Sequence, residues 1–223
     1  MPENNLKQGT ETMKLLRVDA SPKGAKSNSR MLADEFIDHI AKGFRDLEID
    51  HLDLAKETPA HVTAEFAKAT YTPASERTRE MKDTLKASDE LCARLLDADA
   101  LLFSMPMYNW SMPSAFKAYI DAIVRTDLTY GFTPDGGTQG YLKHDKVLII
   151  TTRGANLSPG SPYASMDALT PALRAAFGFM GIANPDIVNA EPMQFSNAED
   201  REEGLRKARA GLRNVADKWM QAA

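Results

Sequence analysis

The 223-residue sequence predicts a single α/β domain. Its expected core is a doubly wound, five-stranded parallel sheet of order 2-1-3-4-5 with helices on both faces. Two observations carry the covered parallel sheet, and the order is one of the two common to doubly wound folds. First, residues 100–104 and Val147-Leu148-Ile149-Ile150 are short apolar runs bounded by polar or turn residues, the pattern of strands buried on both faces. Second, the segments between such runs repeat their apolar residues at helical spacing, as in Met31, Leu32, Phe36, Ile37 and Ile40.

Taken in order, residues 1–12 are polar and patternless and read as a flexible extension, so the domain is expected over 13–223. Met13 to Ala20 is the first strand. Ser21 to Ser29 follows, rich in turn formers and hydroxyls, and Ser27 or Ser29 is a good cap for the next helix. Glu48 to Leu54 alternates as a second strand, and residues 55–71 show no clear period. A helix is expected from Thr72-Pro73, burying Met81, Leu85, Leu91, Cys92, Leu95 and Leu96. It leads to the strand at 100–104, which Pro106 ends because it has no N–H to donate. Pro113 then opens a helix whose face is Ala115, Phe116, Tyr119, Ile120 and Ile123. Residues 126–145, rich in aromatics and glycine, suit a hairpin that covers a pocket or meets a second subunit. His144 lies in a charged turn and is expected to be solvated. After the strand at 146–151, a helix over Met166 to Met180, a strand at 186–190 and a helix capped by Ser196 and Glu199 complete the chain.

Composition removes several classes of function. A net charge of −4 without a basic cluster argues against nucleic acid. No run approaches the roughly 18 apolar residues of a membrane span, and the N-terminal residues lack the apolar centre of a signal peptide. Cys92 is the single cysteine, so no disulfide framework exists and a reducing, cytoplasmic compartment is expected. It falls on an apolar helical face and reads as core filler. No His or Cys pair has ligand spacing, so no metal is expected.

Three strand ends carry the chemistry. In the expected order they are neighbours at the switch point, where open α/β sheets bind ligands. Ser21 with Ser27-Asn28-Ser29 suits a phosphate, held by free N–H groups at a helix start. Pro106-Met107-Tyr108-Asn109-Trp110 offers apolar walls for a flat ring. Thr152-Arg153-Gly154-Ala155 offers donors, the Arg153 side chain among them, for an electron-rich edge. A flavin mononucleotide (FMN) meets all three requirements. No G-x-x-x-x-G-K-[ST] or G-x-G-x-x-G loop competes, and no G-x-S-x-G elbow suggests a hydrolase.

From Met13 to the last helix the chain resembles the FMN-dependent NAD(P)H:quinone oxidoreductases and azoreductases of the flavodoxin-like fold. The likeness rests on Pro106-Met107-Tyr108-Asn109-Trp110 and on Phe177-Gly178-Phe179-Met180-Gly181-Ile182. The family's Ser-Arg-Gly-Gly loop stands here as Thr152-Arg153-Gly154-Ala155. Thr keeps the hydroxyl; Ala keeps the N–H but disfavours positive φ. The resemblance implies FMN, with phosphate on Ser21 and Ser27 to Ser29. It places the isoalloxazine on Met107 to Trp110, with the Asn109 N–H near N5, and the pyrimidine edge toward Thr152 to Ala155. It further implies NADH or NADPH as hydride donor, quinone or azo substrates, ping-pong turnover and a homodimer. The flavin supplies the redox chemistry, so no catalytic side chain is assigned. The alternative on the same fold is a one-electron carrier of the flavodoxin kind.

Overall fold

Strands with no polar face are satisfied only at the centre of a covered sheet, and the two most apolar segments take those places. The computed structural model describes residues 12–221. Its strands are β1 (Thr12–Asp19), β2 (Asp46–Asp53), β3 (Ala100–Pro106), β4 (Tyr130–Phe132), β5 (Thr138–Gly140), β6 (Lys146–Thr152) and β7 (Asp186–Ala190). Its helices are α1 (Asn28–Ile40), α2 (Ala64–Tyr71), α3 (Arg79–Asp97), α4 (Ser114–Ile123), α5 (Leu169–Phe179) and α6 (Ala198–Gln221). The main sheet is parallel and ordered β2-β1-β3-β6-β7. With β4 and β5 set apart as a hairpin, this is the expected 2-1-3-4-5 order.

Residue alternation divides the core into two layers. Leu16, Val18, Leu101, Phe103, Val147 and Ile149 pack under α3, α4 and α5 with Cys92, Phe116 and Phe177. Leu15, Leu102, Leu148 and Ile150 point the other way, against Phe36 of α1 and Leu212 and Trp219 of α6. Phe36 meets Trp219 edge to face at 5.1 Å between ring centres. Cys92 is core filler: burial pushes its thiol pKa up to about 12, so it is no nucleophile at neutral pH.

Helix starts follow local capping chemistry, and several differ from expectation. Ser27 caps α1 by accepting from the Arg30 N–H at 3.4 Å. The patternless stretch 55–71 contains α2, capped by Thr63 through the Phe66 N–H; with eight residues it is too short for its period to stand out. Thr72-Pro73 does not open α3. A separate 3-10 turn, Ala74–Glu76, intervenes, and Thr78 supplies the cap. Pro113 is the residue before α4 rather than its first. Asn197, not Ser196, caps α6, accepting from the Asp200 N–H at 2.8 Å. Leu96 turns outward (44% exposed), since Leu85, Ser88, Cys92 and Leu95 already fill the buried stripe of α3. Met166 lies in a 3-10 turn ahead of α5. His144 is half-buried, with Nε2 2.9 Å from the Ala98 carbonyl oxygen, and burial lowers its pKa. Residues 1–11 of the expected extension lie outside the described residues, and Thr12 already pairs with Asp46.

The 126–145 excursion is a hairpin docked on the end of α5. The Leu142 N–H donates to the Met180 carbonyl at 2.9 Å, and Tyr130 packs on Phe179 with centroids 4.6 Å apart. Gly140 lies so close to the Met180–Gly181 peptide that a Cβ there would overlap it. Gly140→Val is therefore expected to force the hairpin off α5, at a cost of roughly 1–3 kcal/mol. Urea denaturation checks this; unchanged stability would show that the contact is not tight.

Candidate functional site at the carboxyl edge of the sheet

The loops after β1, β3, β6 and β7 meet over the carboxyl ends of the central strands. Between them lies a cavity of about 210 Å³. Of the sequence-predicted residues, Ser21, Ser27, Asn28, Pro106, Met107, Tyr108, Thr152, Arg153 and Gly154 line it. Ser29 lies beneath, fully buried, with its Oγ 3.1 Å from that of Ser27. Asn109 and Trp110 form the tip of the loop after β3. Ala155 faces a neighbouring groove instead. The sequence reading missed Lys23, Lys26, Met193 and Gln194 in the lining. The last two follow the carboxyl end of β7, where the rule used for the other loops would have found them.

The β1 loop is held from below by Arg30, which the sequence reading also missed. Its guanidinium donates to the Ser21 carbonyl from Nη2 at 2.7 Å and from Nε at 3.2 Å. It also pairs with both oxygens of Asp53, Nη1 lying 3.1 Å from Oδ2, and approaches Asp19 at 3.4 Å. Burial would raise the Asp53 carboxyl, but the hydrogen bonds from Arg30 and the Ala55 N–H outweigh it and hold its pKa down. Asp19, fully buried, accepts further bonds from Ser104 Oγ at 2.6 Å and from Arg17. His51 Nε2 lies 2.9 Å from the same carboxylate. Above this base, the N–H groups of Asn28 and Ser29 open α1 and donate to no acceptor among the described residues. Two free N–H groups, a helix start, buried hydroxyls and two lysines make a cradle rich in donors, suited to an anion.

The loop after β3 is a tight turn. Tyr108 and Ser111 exchange N–H···O bonds of 3.0 Å, and φ is 47° at Asn109 and 69° at Trp110. Both central residues are left-handed, as in a type I′ turn. Asn tolerates this; Trp costs about 1–2 kcal/mol. The strain is held by the Ala168 N–H, which donates to the Trp110 carbonyl at 3.1 Å, and by Tyr163, stacked on the indole at 6.0 Å. The Asn109 N–H has no internal acceptor among the described residues.

The loop after β6 corrects the expectation for Arg153. Its guanidinium is only 2% exposed and is spent internally. It lies 3.1 Å from Asp167 and 3.6 Å from Glu191, and it donates to Thr151 and Thr170. Its N–H and carbonyl bond to Ala190 and Met193. Arg153 thus fixes the loop, and the free donors are the N–H groups of Gly154 and Ala155. Neither residue has positive φ, so Ala155 is accommodated without strain.

Among the described residues, no cluster of His, Cys, Asp or Glu could hold a metal, and no helix is long and apolar enough to cross a membrane. The left-handed turn has a direct test. Asn109→Gly is expected to keep stability within about 0.5 kcal/mol, whereas Asn109→Val is expected to lose about 1–2 kcal/mol or more. Equal thermal stabilities for the two variants would contradict the turn.

Residues 13–216 match a family described as having the flavodoxin-like fold. An FMN-dependent NADH:quinone oxidoreductase of Trichormus variabilis is 37% identical over 94% of this chain and 99% of its own. An FMN-dependent NAD(P)H:quinone oxidoreductase of Pseudomonas aeruginosa is 37% identical over 80% and 86% of the two chains. Among solved structures, an azoreductase of Bacillus anthracis superposes with a TM-score of 0.81 at 25% identity, covering 94% of this chain and 99% of that one. The chain belongs to the flavodoxin-like family of FMN-dependent NAD(P)H:quinone oxidoreductases and azoreductases, and it is an oxidoreductase.

Proposed function

We propose that this protein binds FMN at the described edge and reduces quinones and azo compounds with NADH or NADPH, as a cytoplasmic homodimer. The observation that supports this most is the meeting, at one switch point, of a donor-rich anion cradle and two loops with free backbone N–H groups. The Asn28 and Ser29 N–H groups, with the Ser21 and Ser27 hydroxyls nearby and Lys23 and Lys26 at the rim, would hold the phosphate. Ser29 supports the Ser27 hydroxyl from below. Pro106, Met107, Tyr108, Asn109 and Trp110 would form the ring platform, with the unpaired Asn109 N–H free to donate to N5. The Gly154 and Ala155 N–H groups would meet the pyrimidine edge, aided by Thr152, while Arg153 holds their loop in place. At about 210 Å³ the cavity is smaller than the roughly 300–1,000 Å³ of whole ligand pockets. A second subunit covering the remainder is therefore part of the proposal, with the 126–145 hairpin as its contributor.

Flavin held there would supply the hydride-transfer chemistry between nicotinamide and acceptor. The protein positions the ring and stabilises charge on it, and no side-chain acid or nucleophile enters. The one-electron-carrier reading is not favoured, because relatives matching nearly the whole chain are named as NADH:quinone oxidoreductases.

A flavin absorbance band in the purified or FMN-supplemented protein is the first test; failure to bind added FMN would remove the reading. Asn28→Asp places a carboxylate at the first residue of α1, beside the proposed phosphate. Helix-end effects alone are about 0.3–2 kcal/mol per charge, and direct repulsion adds to them. FMN binding is expected to weaken by about tenfold or more while riboflavin binding changes little. Equal loss for both ligands would place the phosphate elsewhere. Shared use of one pocket by donor and acceptor further predicts parallel double-reciprocal plots; intersecting lines would rule out the ping-pong scheme.

A further inference from the structure

The roles assigned above leave one stretch of the cofactor cavity without a partner. Residues 21–29 would face the phosphate, and the loops after β3 and β6 would face the ring. Between ring and phosphate FMN carries the hydroxylated ribityl chain, whose polar groups need partners of their own once water is displaced. Among the lining residues, Met193 and Gln194 alone have no role so far.

The segment that carries them is a strap fixed at several points. The Met193 N–H donates to the Arg153 carbonyl at 2.8 Å, and the Gln194 and Phe195 N–H groups donate to the Gly154 carbonyl at 3.0 and 2.9 Å. The Glu191 carboxylate lies 3.6 Å from the Arg153 guanidinium and accepts from the Leu157 N–H at 3.2 Å. From behind, α6 lies close against the strap. A Cβ at Gly204 would stand 2.5 Å from the Glu191 carbonyl oxygen and 3.2 Å from Met193 Cε, so only glycine permits that approach. Met193 then reaches the start of α1, where Asn28 Nδ2 lies 3.8 Å from its Sδ. The strap is thus bonded to the loop proposed for the pyrimidine edge and touches the helix start proposed for the phosphate. It bridges the same two places that the ribityl chain must join.

Gln194 is exposed within this frame rather than packed into the core. Its amide offers donors and an acceptor side by side, and each ribityl hydroxyl is both, so the two match whichever way the hydroxyl turns. We infer that Gln194 hydrogen-bonds the ribityl chain of bound flavin, with the 191–195 strap as its positioning frame. The inference rests on the proposed FMN reading, but it can fail separately. FMN, riboflavin and lumiflavin share one ring; riboflavin lacks the phosphate, and lumiflavin lacks the ribityl chain as well. Fluorescence titration of the full-length protein stripped of flavin reads the affinity of each. Gln194→Ala is expected to weaken FMN and riboflavin by the same factor, about three- to tenfold, the scale of one neutral hydrogen bond. Lumiflavin affinity and the unfolding temperature of the flavin-free variant are expected to stay at wild-type values, because an exposed side chain is truncated. Unchanged affinity for FMN or riboflavin, loss for FMN alone, or an equal loss for lumiflavin would each overturn the inference. A wild-type protein that binds none of the three would instead overturn the functional reading beneath it.

Discussion

Arg30 is the constraint on which the site depends. A guanidinium buried without partners would cost several kcal/mol, and losing one partner of a buried pair costs about 3–5 kcal/mol. Arg30 escapes this by bonding to Asp53 at the end of β2, to Asp19 at the end of β1 and to the Ser21 carbonyl in the loop beyond. Two strands, one helix and one loop are thereby fixed relative to a single planar group. The bonds engage the Ser21 carbonyl from below, while the Asn28 and Ser29 N–H groups stay free. Arg17 with Asp19 and Asp34, and Lys56 with Asp53, extend the network, so the positive end of α1 is not offset by an unpaired carboxylate beneath it.

The sheet's register makes one site out of separate loops. Asp19 pairs with Ser104, Pro106 with Thr152, and Thr152 with Ala190, so β1, β3, β6 and β7 release their chains within a short distance of one another. The polar residues at these ends are bonded across the strands: Ser104 donates to Asp19, and Thr151 to Asn189. Such bonds let buried polar groups sit at the sheet's edge without the penalty of unsatisfied donors. They also stop the strands from slipping, since a shift of one residue would carry every core side chain to the wrong layer.

Much of this was legible in the sequence because the sheet's centre has no alternative use. Runs such as 100–104 and 147–150 cannot be solvated, and with helical segments between them they imply a covered parallel sheet whose carboxyl-end loops meet at a switch point. What escaped notice had no periodic signature. Arg30 sits in a helical pattern where a charge normally faces water; only the topology brings Asp19 and Asp53 beneath it. Arg153 stands in the right loop for a ligand donor, yet Asp167 and Glu191, distant in sequence, claim its guanidinium. His144 stands among charges but is drawn inward by the Ala98 carbonyl. The turn at Asn109-Trp110 was hidden for a different reason: a left-handed pair is normally signalled by glycine, and here Trp occupies the second position.

That last residue shows how the site divides its work. At Gly154 and Ala155 the backbone N–H groups are free and φ is not positive, so an alanine fits at 155 as readily as a glycine. Where a side chain sets a surface, strain is tolerated to keep it. A glycine at 110 would relieve about 1–2 kcal/mol of left-handed strain, but it would remove the indole on which Tyr163 stacks, a contact of about 0.5–1.5 kcal/mol. The two magnitudes nearly cancel, so stability alone gives little reason to keep Trp. What Trp adds is position: it ties the loop after β3 to Tyr163, and through Tyr163 to the groove lined by Phe195 and Asp200. The strained turn thereby joins the β3 loop to the aromatic wall beyond β6, so that the two surfaces form one continuous edge.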